Sequence, residues 1–145
     1  MEIVEHKPGT AWLPGRFAQI FRKWRPCASV IDAVGPAASL VDEIESLGVE
    51  VVRPNTREVV QACGRFYDAV MDSGTIRHAV GGDLNDALDA AVAGAVKRDL
   101  GDGWAWDRKG PDVDISPLVA CTLASWAHAK FAKRQAPYSM LRSVG

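Results

Sequence analysis

The sequence predicts an α/β fold, and three observations in one stretch predict it. A β-branched run closes on an acid and a breaker in Ser29-Val30-Ile31-Asp32-Ala33-Val34-Gly35-Pro36. A helical stripe follows at Leu40, Val41, Ile44 and Leu47, inside a helix expected from about Ala37 to Leu47 and closed by Gly48 as a left-handed cap. Val49-Glu50-Val51-Val52 is then a second strand. Strand, helix and strand in about 25 residues can close only as a parallel βαβ unit with a right-handed crossover. Asp32 falls at the carboxyl edge of the first of these strands, where open α/β sheets bind ligands and metals. An unpaired buried carboxylate there costs several kcal/mol, so it needs a reason. The plain reason is a hydrogen-bonded turn aspartate; the other is function.

The chain has 145 residues, 48% hydrophobic and 24% charged, with a formal net charge of −1. That is the size and composition of an ordinary domain with a real core, not of a disordered or collagenous chain. The near-neutral balance excludes a strongly basic nucleic-acid binder, so any such contact must come from a local patch. Cys27, Cys63 and Cys121 have no metal-ligand spacing and apolar or small neighbours. They read as buried reduced thiols, which points to the cytosol. No apolar run approaches the roughly 18 residues of a membrane span.

Taken in order, Glu2-Ile3-Val4-Glu5 reads as a short strand closed by Pro8-Gly9. Leu13-Pro14-Gly15 opens a helix whose apolar face is Phe17, Ile20, Phe21 and Trp24; Arg16, Arg22, Lys23 and Arg25 cover its other faces as a solvated surface, and Pro26 stops it. After the βαβ unit, Asn55-Thr56-Arg57-Glu58 has the spacing of a capping box. The helix it opens should bury Val59, Ala62, Cys63, Phe66 and Val70. Asp72-Ser73-Gly74 is a turn, Ile76-Arg77-His78 a short edge strand, and His78 a surface or hydrogen-bonded histidine. Gly81-Gly82-Asp83 leads into an alanine-rich helix with Leu84, Leu88, Ala91 and Ala95 on one face. After Gly101-Asp102-Gly103, Trp104-Ala105-Trp106 alternates like a strand with both indoles on one side. Arg108-Lys109-Gly110 is a basic turn that suits a phosphate. Pro117 fits the first turn of a last helix capped by Asp114 or Ser116 and burying Leu118, Leu123 and Trp126. From Lys130 the tail is basic, so the reading divides the chain into residues 1–129 and a tail of 130–145.

Several blocks in this order resemble the C-terminal nuclease domain of the large terminase subunit of tailed bacteriophages. They are Pro8-Gly9-Thr10-Ala11-Trp12, Asp32-Ala33-Val34-Gly35-Pro36-Ala37, Gln61-Ala62-Cys63-Gly64-Arg65-Phe66-Tyr67-Asp68, Gly101-Asp102-Gly103-Trp104-Ala105-Trp106 and Asp114-Ile115-Ser116-Pro117-Leu118-Val119-Ala120. The resemblance runs from residue 1 to about residue 127. It implies a ribonuclease-H-like mixed sheet flanked by helices, and metal-dependent cleavage of double-stranded DNA during genome packaging. It implies two Mg²⁺ or Mn²⁺ ions held by carboxylates, with Asp32 matching the middle acid, Asp114 the late one and Asp112 a stand-in. Arg108 and Lys109 are the DNA-contact candidates. The implied partners are the terminase ATPase part, the small terminase subunit and the portal, in the cytoplasm of a bacterial host, with no membrane. Two hard cations near 4 Å apart need shared oxygen ligands, one activating water and the other stabilising the leaving oxygen.

The departure from that family is at the front. No aspartate precedes Asp32 and no Gly-rich phosphate loop ending in Lys-Ser/Thr occurs. The expectation is therefore a partial nuclease domain lacking the leading strand and its acid, inactive or weak alone. The alternative is a non-catalytic prophage remnant or interaction module that keeps the α/β fold.

Overall fold

A computed structural model of the chain describes residues 1–110 and 112–132. The chain divides into two units. Among the described residues, one comprises Gly9–Pro54 with 125–132, the other Met1–Pro8 with Asn55–Ala124.

The Gly9–Pro54 unit begins with α1, Leu13–Trp24, with a proline inside its first turn. It ends because Arg25 turns left-handed at φ 45°, its N–H donating to Phe21 O, and Pro26 cannot continue the ladder. Strand β1 (Ser29–Val30) pairs in parallel with β2 (Val51–Val52), Ser29 opposite Val51 and Val30 opposite Val52. Between them a 3-10 turn, Pro36–Leu40, runs into α2, Val41–Ser46. The βαβ unit read from the sequence is present, with Gly48 at φ 87° after α2. Its core is Ala18, Ile31, Val41, Ile44, Val49 and Val51, with Phe17, Phe21, Ala37 and Leu40 packed on it. Each fully buried aliphatic side chain contributes about 1.5–3 kcal/mol. Three expectations fail here. Leu47, read as part of the buried stripe of α2, is 44% exposed. Trp24 is 53% exposed, outside the apolar face assigned to it. Cys27 is an exposed thiol rather than a buried one.

The other unit holds α3 (Thr56–Met71), α4 (Asp83–Ala93), the strands β3 (Lys97–Leu100) and β4 (Gly103–Trp106), and the start of α5 (Ser116–Phe131). The capping box is complete: Glu58 N–H donates to Asn55 Oδ1 at 3.0 Å, and Asn55 N–H to Glu58 Oε2 at 2.8 Å. Strands β3 and β4 form an antiparallel hairpin over the two-residue loop Gly101–Asp102, with Gly101 at φ 57° as such a tight loop needs. The core is Phe66, Leu88, Ala91, Leu118 and Cys121, with Ile3, Ile76, Ala95 and Trp106 against it.

The ribonuclease-H-like mixed sheet is not what forms. Among the described residues the strands make two separate two-stranded sheets, β1–β2 parallel and β3–β4 antiparallel, so the class is a small α/β fold whose described strands share no common sheet. Glu2–Glu5 and Ile76–His78 join no ladder. The first is held by other bonds: the Met1 ammonium donates to Arg77 O, and Ile3 packs into the core. Strand β3 was not expected, because Lys97, Arg98 and Asp99 are all exposed and give no apolar alternation. Helix α5 runs through Lys130 to Phe131; the remaining tail, 133–145, lies outside the described residues. No helix among the described residues is long and apolar enough to cross a membrane.

Candidate functional site

Asp114 sits two residues before α5, and its surroundings decide its charge. Its Oδ1 accepts the Ser116 N–H at 2.9 Å, satisfying one of the donors that a helix start leaves open. Its Oδ2 lies 2.9 Å from His6 Nε2, contributed by a segment 108 residues away. The Asp114 side chain is 62% exposed and that of His6 32%. Partial burial is the largest influence on the carboxyl and raises its pKa. The Ser116 backbone bond, the His6 bond, the Ser116 side chain and the His6 charge together outweigh it, so the net pKa lies below the usual aspartate value. Asp114 is thus held ionised. Ile115, whose carbonyl accepts Val119 N–H, is the N-cap rather than Asp114 or Ser116; Asp114 closes an Asx turn just ahead of it, and this coexists with a charged, accessible oxygen.

Asp32 follows β1, within the unit of Gly9–Pro54. Its Oδ1 accepts the Val34 N–H at 3.1 Å and its carbonyl accepts Gly35 N–H at 3.2 Å. That is an Asx turn, which fixes the carboxylate at the end of the strand. Asp32 and Asp114 belong to different units. Asp112 is exposed just before Asp114.

The basic turn after β4 is preorganised. Asp107 Oδ1 accepts the Lys109 N–H at 2.9 Å, and Gly110 packs against the Asp107 carboxylate, which a side chain there would push aside. Arg108 is half-buried, and that burial pulls its guanidinium below its ordinary pKa. Lys109 is exposed.

The packing behind β4 explains the tryptophan pattern. Trp104 and Trp106 meet edge to face at 4.8 Å, and Tyr67 meets Trp104 at 5.8 Å. Lys97 Nζ lies 3.6 Å from the Tyr67 centroid and 4.2 Å from that of Trp104, so a cation covers these rings. Trp106 Nε1–H donates to Thr122 Oγ1 at 3.0 Å, tying β4 to α5. Cys63 and Cys121 are buried, which pushes the Cys63 thiol up and that of Cys121 up to about 11. Neither is a nucleophile at neutral pH.

For a divalent cation, Asp114 offers the right chemistry: an ionised, accessible oxygen with an imidazole nitrogen beside it. It is a partial donor set. Among the described residues no group of three or more His, Cys, Asp or Glu side chains is gathered for a metal ion. His6 is the site residue that sequence reading missed; no spacing rule connects positions 108 apart. No family model, curated protein or solved structure matches this chain.

Proposed function

We propose that the chain carries part of the nuclease region of a phage terminase large subunit and contributes acids to metal-dependent cleavage of double-stranded DNA. The observation that supports this most is Asp114. It opens the block Asp114-Ile115-Ser116-Pro117-Leu118-Val119-Ala120, and its carboxylate is kept ionised at the start of α5. Asp32, in the block Asp32-Ala33-Val34-Gly35-Pro36-Ala37, is fixed at the end of a parallel strand. On this reading Asp114 and Asp32, with Asp112 in reserve, hold Mg²⁺ or Mn²⁺, and His6 orients the Asp114 carboxylate. Bound cations would supply an activated water and charge neutralisation at the leaving oxygen. Arg108 and Lys109 would meet phosphates. The terminase ATPase part, the small subunit and the portal are the partners this reading carries.

The test is nicking of supercoiled plasmid with Mn²⁺. The chain alone should nick weakly or not at all, because removing one preorganised charge partner costs on the order of 10²–10³ in rate. Supplying a terminase segment that carries the leading acid should restore cutting, and Asp32→Asn or Asp114→Asn should abolish it. Cutting that survives both substitutions refutes the reading. A second reading, a non-catalytic interaction module, is favoured by the division of the strands into two separate sheets. It predicts no cutting with any added segment.

A further inference from the structure

We infer that the carboxyl end of α1, formed by Arg22, Lys23, Trp24 and Arg25, docks the phosphate backbone of double-stranded DNA; the inference rests on the reading of DNA as substrate. The chain as a whole is nearly neutral, so a polyanion needs a local patch to find it. Residues 13–25 hold four of the 17 lysines and arginines and not one acid. Arg22, Lys23 and Arg25 are exposed, and among the described residues none of them makes an ion pair. By contrast, Arg53 in the same unit is engaged by Glu45 at 3.0 Å and Asp42 at 3.9 Å.

A bland account exists: cations in a last helical turn complement the helix dipole. It covers Arg22 and Lys23. It does not cover Arg25, which lies past the helix end in a left-handed conformation, the one non-glycine residue with positive φ among the described residues. Glycine is the stable choice at such a position, and a side chain there is strained. An arginine at this position costs stability, which suits a role for its charge.

Trp24 belongs to the same patch. It is 53% exposed, with Lys23 Nζ 5.5 Å from its ring centroid, so an amphipathic ring stands beside a cation. A lipid surface is the other anionic partner that such a patch could meet. A membrane-lying helix, however, needs a free apolar face. Here Ala18 is in the core of its unit with Phe17 and Phe21 packed against it, and Trp24 is left alone. Duplex DNA asks only for phosphate contacts and tolerates a ring at the backbone.

The experiment uses the full chain and a fluorescent 20-base-pair duplex, with anisotropy read across a salt series. The wild type should bind with affinity falling steeply with salt, and duplex should change Trp24 fluorescence. The variant Arg22→Gln/Lys23→Gln/Arg25→Gly should bind at least tenfold more weakly. Its salt slope should be smaller by about one for each phosphate left without its cation, up to about three. Arg25→Gly alone should raise the melting temperature while weakening binding. Unchanged affinity and slope in the triple variant overturn the inference. So does binding to phosphatidylglycerol vesicles with no binding to duplex. Mn²⁺ broadening of the NMR signals near Asp114, measured in the same samples, separates the two failures. Intact broadening with a silent triple variant sinks only the docking surface; loss of both sinks the nuclease reading as well.

Discussion

Thr122 is the single buried polar side chain among the described residues, and replacing it with valine tests how β4 is tied to α5. Its Oγ1 accepts the Trp106 indole N–H at 3.0 Å, and its own proton goes to the Leu118 carbonyl at 2.8 Å. Valine has nearly the same shape, so no cavity opens. The Leu118 carbonyl keeps its helical ladder partner, so losing the second bond matters little. The cost lies in the indole N–H, which is left without an acceptor. A fully buried orphan costs about 1–3 kcal/mol; because Trp106 is half-buried, the lower part of that range applies, about 1–2 kcal/mol. Urea unfolding followed by circular dichroism should show the midpoint falling with the slope unchanged. Thr122→Ser keeps the acceptor and should cost only the lost methyl, about 1 kcal/mol or less. The decisive arm is Thr122→Val in a Trp106→Phe background, where no N–H remains to be orphaned and the cost should drop toward zero. An equal cost in both backgrounds would refute the hydrogen bond as the tie and show that packing alone holds the pair.

Other outcomes follow from the same structure. Asn55→Ala removes the side-chain acceptor of the capping box and should destabilise α3 by about 1 kcal/mol in urea unfolding; an effect below a few tenths would mean the box is ornamental. Of the three thiols, Cys27 should react with a thiol reagent in the native state at pH 8 while Cys63 and Cys121 wait for unfolding, and three equal rates would contradict the burial. The Cys121 thiol is raised to about 11, so its contribution is present below the unfolded value, about 8.5, and lost as pH rises toward 11. Cys121→Ala should therefore flatten the stability–pH curve above pH 9. Asp114 behaves oppositely: its pKa is lowered, so its contribution is full above the ordinary value near 3.9 and fades as pH falls through the folded value. Asp114→Asn should remove that acid-side dependence, at a cost near neutral pH of no more than about 1 kcal/mol because the pair is exposed.

The helices were legible because each carries a run of apolar residues at helical spacing, and the capping box because its spacing is fixed by one turn of helix. The βαβ unit was legible for the same local reason. What failed was everything decided between distant segments. Glu2-Ile3-Val4-Glu5 has strand composition, yet its fate depends on whether an edge is offered to it, and here Ile3 goes into a helical core instead. Lys97-Arg98-Asp99 has no strand composition, yet the Gly101 turn and the tryptophans of β4 recruit it into a ladder. The extent of a shared sheet is likewise a long-range property, which no strand of two to four residues encodes by itself. At the site, Asp32 and Asp114 were found as acids at element ends, but His6 could not be.

The two influences that keep Asp114 ionised are unequal, and this bears on how far the site depends on the N-terminal segment. The Ser116 backbone bond comes ahead of His6 in lowering the pKa, and it is local to the start of a 16-residue helix. Anions there are favoured by the open N–H groups and the dipole together. The His6 bond reaches in from residue 6, on a segment whose other anchors are Ile3 and the Met1 ammonium. Loss of His6 would therefore leave the carboxylate charged and still held through Oδ1, with only Oδ2 released, whereas loss of the helix start would raise its pKa and release Oδ1. The charge of the candidate site is thus built chiefly into the start of α5, and His6 adds a second hold, at Oδ2.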